Sequence, residues 1–447
     1  MSVDLRIRDF IDNDLKVFSN LDNVRSIPSL IDGFKDSQRK ALYGMIKKGS
    51  AETKVSQLAS YIAMETHYDH GEVSMAETVV KMAQNFTGSN NVNLFEPIGQ
   101  FGSILSSEAS AVRYIYTKPS KFLRQYFNKD DDNLLEYREE EGHKLEPINY
   151  LPIVPMWLVN GVSGIGTGHA STILSRDPRK VADLVSKLIK GVAVQDKTIA
   201  AAMTPYFEGW KGKIEKREAL DDTKWDMYGT LEKINTTTLR VTELPVSYDL
   251  DKFKSILIAL MEDGKVKDFE NAKSTENGFV FDITVPREIA RKEMSELITL
   301  FKLKVGVGEN VTLWDENGKL RRYASAYEAL LAFIAFRVSK YLPRKRMLLA
   351  QWTNDIELMR AKASFIDAWN NRLDKPHKMK KDVLVKELLT FGIKEEYLDK
   401  LLAMQISSLT LERAIELSES IQALAKKYIE LSEKSPEQLY LEDLAEI

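Results

Sequence analysis

Two apolar stripes in the last third of the chain constrain its fold more than any other feature. Ile334, Val338, Tyr341, Leu348, Trp352, Met359 and Ile366 are separated by three, four or seven residues, and Ala414, Leu417, Ile421, Leu424, Tyr428 and Leu431 repeat a three–four alternation. That period marks one face of a helix packed along another. The stripes bracket a compact insertion from Asp382 to Gln405, which argues for an antiparallel pair of long helices carrying a small helical head. The alternative is an ordinary helical bundle. A helix over residues 326–368 is about 65 Å long at 1.5 Å per residue. Pro343 should kink it, because proline donates no backbone hydrogen bond and crowds the previous turn.

The rest of the chain has two further textures. Residues 1 to about 125 read as mainly helical. Leu30, Ile31, Phe34, Ala41, Leu42 and Met45 form one apolar set, and Val55, Leu58, Ala59 and Ile62 a second. A third helix is expected from Ser74 to Phe86. Three short helices before the strand-like Val112–Tyr116 suit a helix-turn-helix or winged-helix unit, the alternative being a generic helical subdomain. From Leu151 to about Leu320, strand signals such as Arg240–Leu244, Phe281–Val285 and Val311–Trp314 indicate a mixed α/β domain. The runs Asp130–Asp132 and Glu136–Glu141 read as solvated surface segments. The expected class is multidomain α+β: a winged-helix domain over 1–150, a mixed α/β domain over 151–325, helical arms with a head over 326–435, and a tail over 436–447.

Composition excludes several chemistries. The chain has 447 residues, a formal net charge of −3 and no cysteine. Disulfide scaffolds, thiolate metal sites and cysteine nucleophiles are therefore out. A nucleic-acid protein with this balance must gather its cations on one face. The opening MSVDLRIRDFIDNDLKVF is too polar for a signal peptide, and no apolar run approaches the roughly 20 residues needed to span a bilayer. The expectation is a soluble, intracellular protein.

Cations do gather. The segment Ala111–Lys129 holds Arg113, Lys118, Lys121, Arg124 and Lys129 with no acid, and Tyr114 and Tyr116 lie at its start. Read alone, it is a half-buried strand with cations facing water, or a phenol set in a positive field near a phosphodiester. Arg25, Lys35, Arg39 and Lys40 fall within sixteen residues around the Asp32–Gly33 turn, which suits phosphate positioning. His67 and His70 lack a third ligand at clear metal spacing. Gly161, Gly164, Gly166 and Gly168 do not fit a dinucleotide loop. Lys197-Thr198 and Lys273-Ser274 lack the glycine-rich lead-in of an NTP-binding loop.

In order along the chain come Ile27–Lys35 to Arg39, Tyr68–Glu72, Met82–Phe86 with Gly88–Asn91, Gly99–Ser103, Ala111–Thr117 and Val159–Gly168. This set resembles the DNA breakage-reunion subunit of type IIA topoisomerases, and within them most nearly the medium subunit of the multisubunit enzyme of T4-like bacteriophages. The resemblance implies a winged-helix DNA gate, a tower, and coiled-coil arms ending in an exit gate that joins two copies. It implies that Tyr114, rather than Tyr116, links to a DNA 5′ phosphate, with Arg113 beside it. It places Arg25, Lys35, Arg39 and His70 around the scissile phosphate, and Gln38, Lys40, Lys118 and Lys121 along the duplex. Ile165 would insert between base pairs, its flanking glycines letting the backbone approach the groove. Asp69 and Gln38 stand where many relatives carry histidine, which weakens any paired-histidine role. Magnesium and ATP are required by such a complex, and both are expected on a separate large subunit. The location expected is cytoplasmic, that of the bacterial host if the chain is phage-encoded.

Overall fold

The computed structural model describes residues 6–218, 221, 223–246, 248–270, 273–275, 278–373 and 376–447. It divides into two compact units, the first running to Arg337 and including Leu441–Ile447, the second Val338–Tyr440.

In the first unit, helices Asp36–Lys48, Val55–Glu65 and Glu72–Ala83 bury Leu42 and Met45, Leu58 and Ile62, and Met75 and Val79. Gly44 lets the first two meet: a Cβ there would lie 2.5 Å from Ile62 Cγ1. An antiparallel sheet completes the winged helix, with Tyr116–Pro119 between Thr53–Lys54 and Phe95–Ile98. Two local expectations change. The third helix stops at Ala83, not Phe86, because Gln84 turns to extended backbone. The strand begins at Tyr116, not Val112, because residues 112–114 form a turn in which the Tyr114 N–H donates to the Ala111 carbonyl at 2.9 Å. Tyr114 and Tyr116 therefore do not share a strand face.

The acidic run is not all solvated. Asp131 is buried and accepts from Arg337 Nη2 at 2.6 Å, with the guanidinium itself fully buried. Asp132 pairs with the partly exposed Arg124.

The mixed α/β part holds a five-stranded antiparallel sheet in which Thr238–Glu243 pairs with both Thr230–Lys233 and Gly278–Thr284. Period-two alternation turns Leu239, Val241, Phe281 and Ile283 inward, where they meet Phe253 and Leu257 of helix Leu250–Glu262. A second sheet sets Lys224–Tyr228 between Lys213–Lys216 and Lys304–Gly308. Beside it, Arg176 and Glu309 form a fully buried bidentate pair, and the Trp225 indole donates to the same carboxylate at 2.9 Å.

The second unit bears out the two stripes. Helix Ala326–Asp367, most of which lies in this unit, continues through Pro343. Helix Leu411–Glu433 returns alongside: Lys345 Nζ reaches the Ser432 carbonyl at 2.8 Å, and Asn370 Nδ2 reaches that of Leu409 at 2.8 Å. That order of contacts is antiparallel. Helices Lys381–Thr390 and Glu395–Leu402 form the head, closing Leu384, Leu388, Leu398 and Leu401 over Phe365 and Ile366.

Candidate functional site

Tyr114 is presented from the turn that enters the wing. Its neighbour Ile115 is buried, and the Ile115 carbonyl accepts from the Val55 N–H at 3.0 Å. The Val112 carbonyl accepts from the Ser56 N–H at 3.2 Å, so the turn is fastened to the start of helix Val55–Glu65. Tyr114 itself is 72% exposed. Among the described residues its hydroxyl has no hydrogen-bond partner. The Arg113 guanidinium lies 5.9 Å from its ring centre. Tyr116 sits within the strand, with the Lys54 ammonium 5.8 Å from its ring. Lys118 leans on Glu96 at 3.5 Å, and Lys121 lies over the Phe122 ring.

A second cluster surrounds the end of helix Lys16–Ser26. Arg25 Nη1 is 3.1 Å from His70 Nε2. A guanidinium only donates, so Nε2 accepts and the imidazole proton of this arrangement belongs on Nδ1. Tyr68 meets the His70 ring edge-on at 5.3 Å. These groups line an open cleft of about 650 Å³ together with Ser37, Asp69 and Arg138. Lys35 Nζ donates to the Ser163 carbonyl at 2.6 Å. Burial, and then the nearby Lys81, hold its ammonium below the usual lysine range. No described hydrogen bond or ion pair joins this cluster to Tyr114 within one chain.

Three expected DNA-facing residues are occupied inside the protein. Arg39 is buried against Asp32, with Nε to Oδ2 at 2.7 Å and Nη2 to Oδ1 at 3.1 Å, and Nη2 also donates to the Phe34 carbonyl. Burial opposes its charge, but Asp32, with Asp36 and Glu146 behind it, outweighs this and raises its pKa. Lys40 is buried too, donating to the Thr66 carbonyl at 2.7 Å and to the fully buried Glu146. Gln38 uses its side-chain oxygen to accept from the Lys35 N–H at 2.9 Å, closing the start of helix Asp36–Lys48. The sequence patch around the turn is thus partly a framework: Arg25 and Lys35 remain toward the surface, while Arg39 and Lys40 hold the turn in place.

Ile165 ends strand Val162–Ile165 of a hairpin with Ala170–Ile173 and is 83% exposed. Its flanking glycines serve protein packing. A Cβ on Gly164 would lie 2.1 Å from the Ser26 carbonyl oxygen, and one on Gly166 would lie 2.2 Å from Asn23 Oδ1. Asn23 Nδ2 also donates to the Thr167 carbonyl, and the Thr167 hydroxyl donates to Asp22 at 2.7 Å. Both glycines thus serve a close approach to helix Lys16–Ser26.

Amide side chains do much of the positioning, and neither residue type nor spacing singles them out in the sequence. Asn91 Nδ2 lies within hydrogen-bond distance of the carbonyls of Val159, Arg176 and Tyr206. Asn160 bonds both the N–H and the carbonyl of Val92. Gln84 and Gln100 brace the loop before Tyr114. Their only sequence signal is membership of the ordered blocks.

The fold thus combines a winged helix, a mixed α/β part and long packed helices. Residues 25–446 match the family of the DNA gyrase/topoisomerase IV A-subunit, and the chain belongs to that family. Among curated relatives, DNA topoisomerase 2 of Meyerozyma guilliermondii is 37% identical over 369 residues, covering 81% of this chain and 26% of the relative. That of Plasmodium falciparum is 35% identical, covering 99% of this chain and 34% of the relative. Human DNA topoisomerase 2-beta is 32% identical, covering 99% and 29%. The crystal structure of the Plasmodium falciparum topoisomerase II DNA-binding, cleavage and re-ligation domain is similar at a TM-score of 0.90 and 35% identity, covering 98% of this chain and 63% of that one.

These findings correct two expectations. The similarity is to eukaryotic DNA topoisomerase 2, not to the T4-like phage medium subunit. The relatives are single long chains of which this one spans about a quarter to a third, which overturns the expectation of a separate large subunit.

Proposed function

We propose that this chain is the DNA breakage-reunion part of a type IIA topoisomerase, with Tyr114 as nucleophile. The Tyr114 oxygen bonds to a backbone phosphorus, the bond from that phosphorus to the 3′ oxygen breaks, and the phenolic proton ends on the released 3′ hydroxyl. The reverse attack reseals the strand. Energy stays in the phosphotyrosine bond, so the bond chemistry itself consumes no nucleotide. One observation carries this reading: an exposed hydroxyl, without a hydrogen-bond partner among the described residues, stands on a fixed turn beside Arg113. A free phenol has a pKa near about 10 and is a weak nucleophile at neutral pH, so stabilisation of phosphoryl charge by Arg113 matters. Arg25, Lys35 and His70 supply phosphate contacts, while Arg39 acts through Asp32 on the turn that carries Lys35. Lys118 and Lys121 extend the basic track beyond the tyrosine.

Type IIA cleavage chemistry uses a divalent cation, which stabilises charge on the phosphate and leaving oxygen. The described residues include no group of three His, Asp or Glu side chains fit to ligate one. The cationic setting of Tyr114 does not suit such a role either.

The test is denaturant trapping on end-labelled duplex with magnesium. Label retained on the chain through a 5′ phosphate supports the reading. Duplex binding and bending with no covalent product supports the alternative, a bending protein of the same fold, for which the exposed Ile165 also speaks.

Ile165 is proposed as a wedge between base pairs. Unstacking costs a few kcal/mol per step, which an apolar side chain offsets by replacing the lost stacking. Ile165→Ala is expected to reduce the bend of a short end-labelled duplex measured by FRET, with Ile165→Met retaining part of it. An unchanged bend in the alanine variant removes the wedge.

A further inference from the structure

The segment from Gly99 to Ala111 contains no helix or strand, yet it leads directly into the turn that presents Tyr114. Backbone without a ladder takes its order from side chains and packing. Beside two main-chain bonds, from the Ser103 N–H to the Ser106 carbonyl at 2.7 Å and from the Ser110 N–H to the Gln100 carbonyl at 3.0 Å, two glutamines add to that order, one as donor and one as acceptor. Gln84, just past helix Glu72–Ala83, donates from Nε2 to the carbonyls of Phe101 at 2.9 Å and Ser107 at 3.1 Å. Asn90 holds that helix end by donating to the carbonyls of Gln84 and Lys81. Gln100 Oε1 accepts from the N–H groups of Gly102 at 3.3 Å and Ser110 at 3.0 Å. Each partner set leaves one amide orientation: two carbonyls require the Gln84 nitrogen, and two N–H groups require the Gln100 oxygen. The loop is folded tightly, since a Cβ on Gly102 would lie 2.7 Å from the Ser107 carbonyl oxygen, and Gly102 has φ +97°. Ile104 and Leu105 pack on the core of the five-stranded sheet, so the loop is held from both sides.

We infer that Gln84 and Gln100 are positioning residues for Tyr114: they clamp the loop that fixes where the phenol stands. The inference rests on the proposed role of Tyr114 as nucleophile. In-line attack is sensitive to displacements of about 1 Å, and a clamp on the approach to the reacting residue acts on rate more than on DNA affinity.

One isosteric exchange separates the two roles. Gln100→Glu keeps an acceptor and retains its bonds. Gln84→Glu loses both donors and sets a carboxylate against two carbonyls. In the full chain, amide hydrogen exchange over residues 101–112 is expected to quicken by about tenfold or more in Gln84→Glu and to stay within about threefold of wild type in Gln100→Glu. Covalent-complex formation should follow the same order, at least about tenfold slower in Gln84→Glu, with duplex affinity within about threefold and an unchanged melting midpoint. Gln100→Ala should quicken exchange mainly at Gly102, since the Ser110 N–H keeps the main-chain carbonyl of residue 100 as acceptor. Equal behaviour of the two glutamate variants overturns the clamp, and so does wild-type exchange in Gln84→Glu. Faster exchange with an undiminished covalent rate overturns the positioning role. If the wild-type chain forms no covalent complex, the nucleophile reading fails by itself, and exchange still decides whether these amides order the loop.

Discussion

If Tyr114 is the nucleophile proposed above, Tyr114→Phe is expected to abolish the covalent protein–DNA complex and to leave duplex affinity within about threefold, because the exposed hydroxyl would supply the chemistry and few phosphate contacts. The structure makes this a clean substitution. The hydroxyl has no described partner, so its removal strands no buried group, and Ile115 and the Ala111–Tyr114 turn remain to hold the ring. Denaturant trapping with label at the 5′ phosphate reads the loss, and fluorescence anisotropy reads the affinity. Persistent trapping in the phenylalanine variant moves the nucleophile elsewhere, and Tyr116→Phe then becomes the decisive comparison.

Arg39→Ala is expected to behave quite differently from substitutions at the neighbouring cations. Asp32 is fully buried and would lose its bidentate partner, so the fold is expected to lose about 3–5 kcal/mol, the usual cost of breaking a buried pair from one side. Asp32 also accepts from the N–H groups of Phe34 and Tyr150, so the damage spreads to the turn before helix Asp36–Lys48. Arg25→Ala, at the open cleft, should change the unfolding midpoint little. Urea titration of both variants without DNA checks the contrast. Equal midpoints would return Arg39 to the phosphate-facing set.

The arms were legible because their signal is local and repeated: the stripes ending in Ile366 and beginning at Ala414 state both the period and the return. Alternation was equally readable in Arg240–Leu244 and Phe281–Val285, whose Val241, Phe281 and Ile283 lie on one inward face, although the strands themselves run Thr238–Glu243 and Gly278–Thr284. What failed was anything decided by a distant partner. Asp131 looked solvated because Arg337 lies 206 residues away in sequence. Lys40 looked like surface because Glu146 is 106 residues away. Composition of a segment reports its charge, not which charges are already paired. The strand starting at Val112 failed differently, since alternation cannot show that a turn occupies residues 112–114. The ordered blocks identified the family but misplaced the branch. Many of their residues, such as Asn91, Asn160 and Gln84, hold backbone together, a demand that follows from the gate fold and does not distinguish one lineage from another.

The hairpin that carries Ile165 separates a tool from its socket. The isoleucine projects freely, whereas Gly164 and Gly166 are locked to Ser26 and Asn23 by clearances that no side chain fits. Position 165 is thus interchangeable as far as the fold is concerned: its bulk and shape can be retuned without disturbing the packing beneath it. The adjoining glycines are not interchangeable, since any side chain there would lever the hairpin off the helix that bears Arg25. Variation in a lineage should therefore concentrate on the tip and spare its seat.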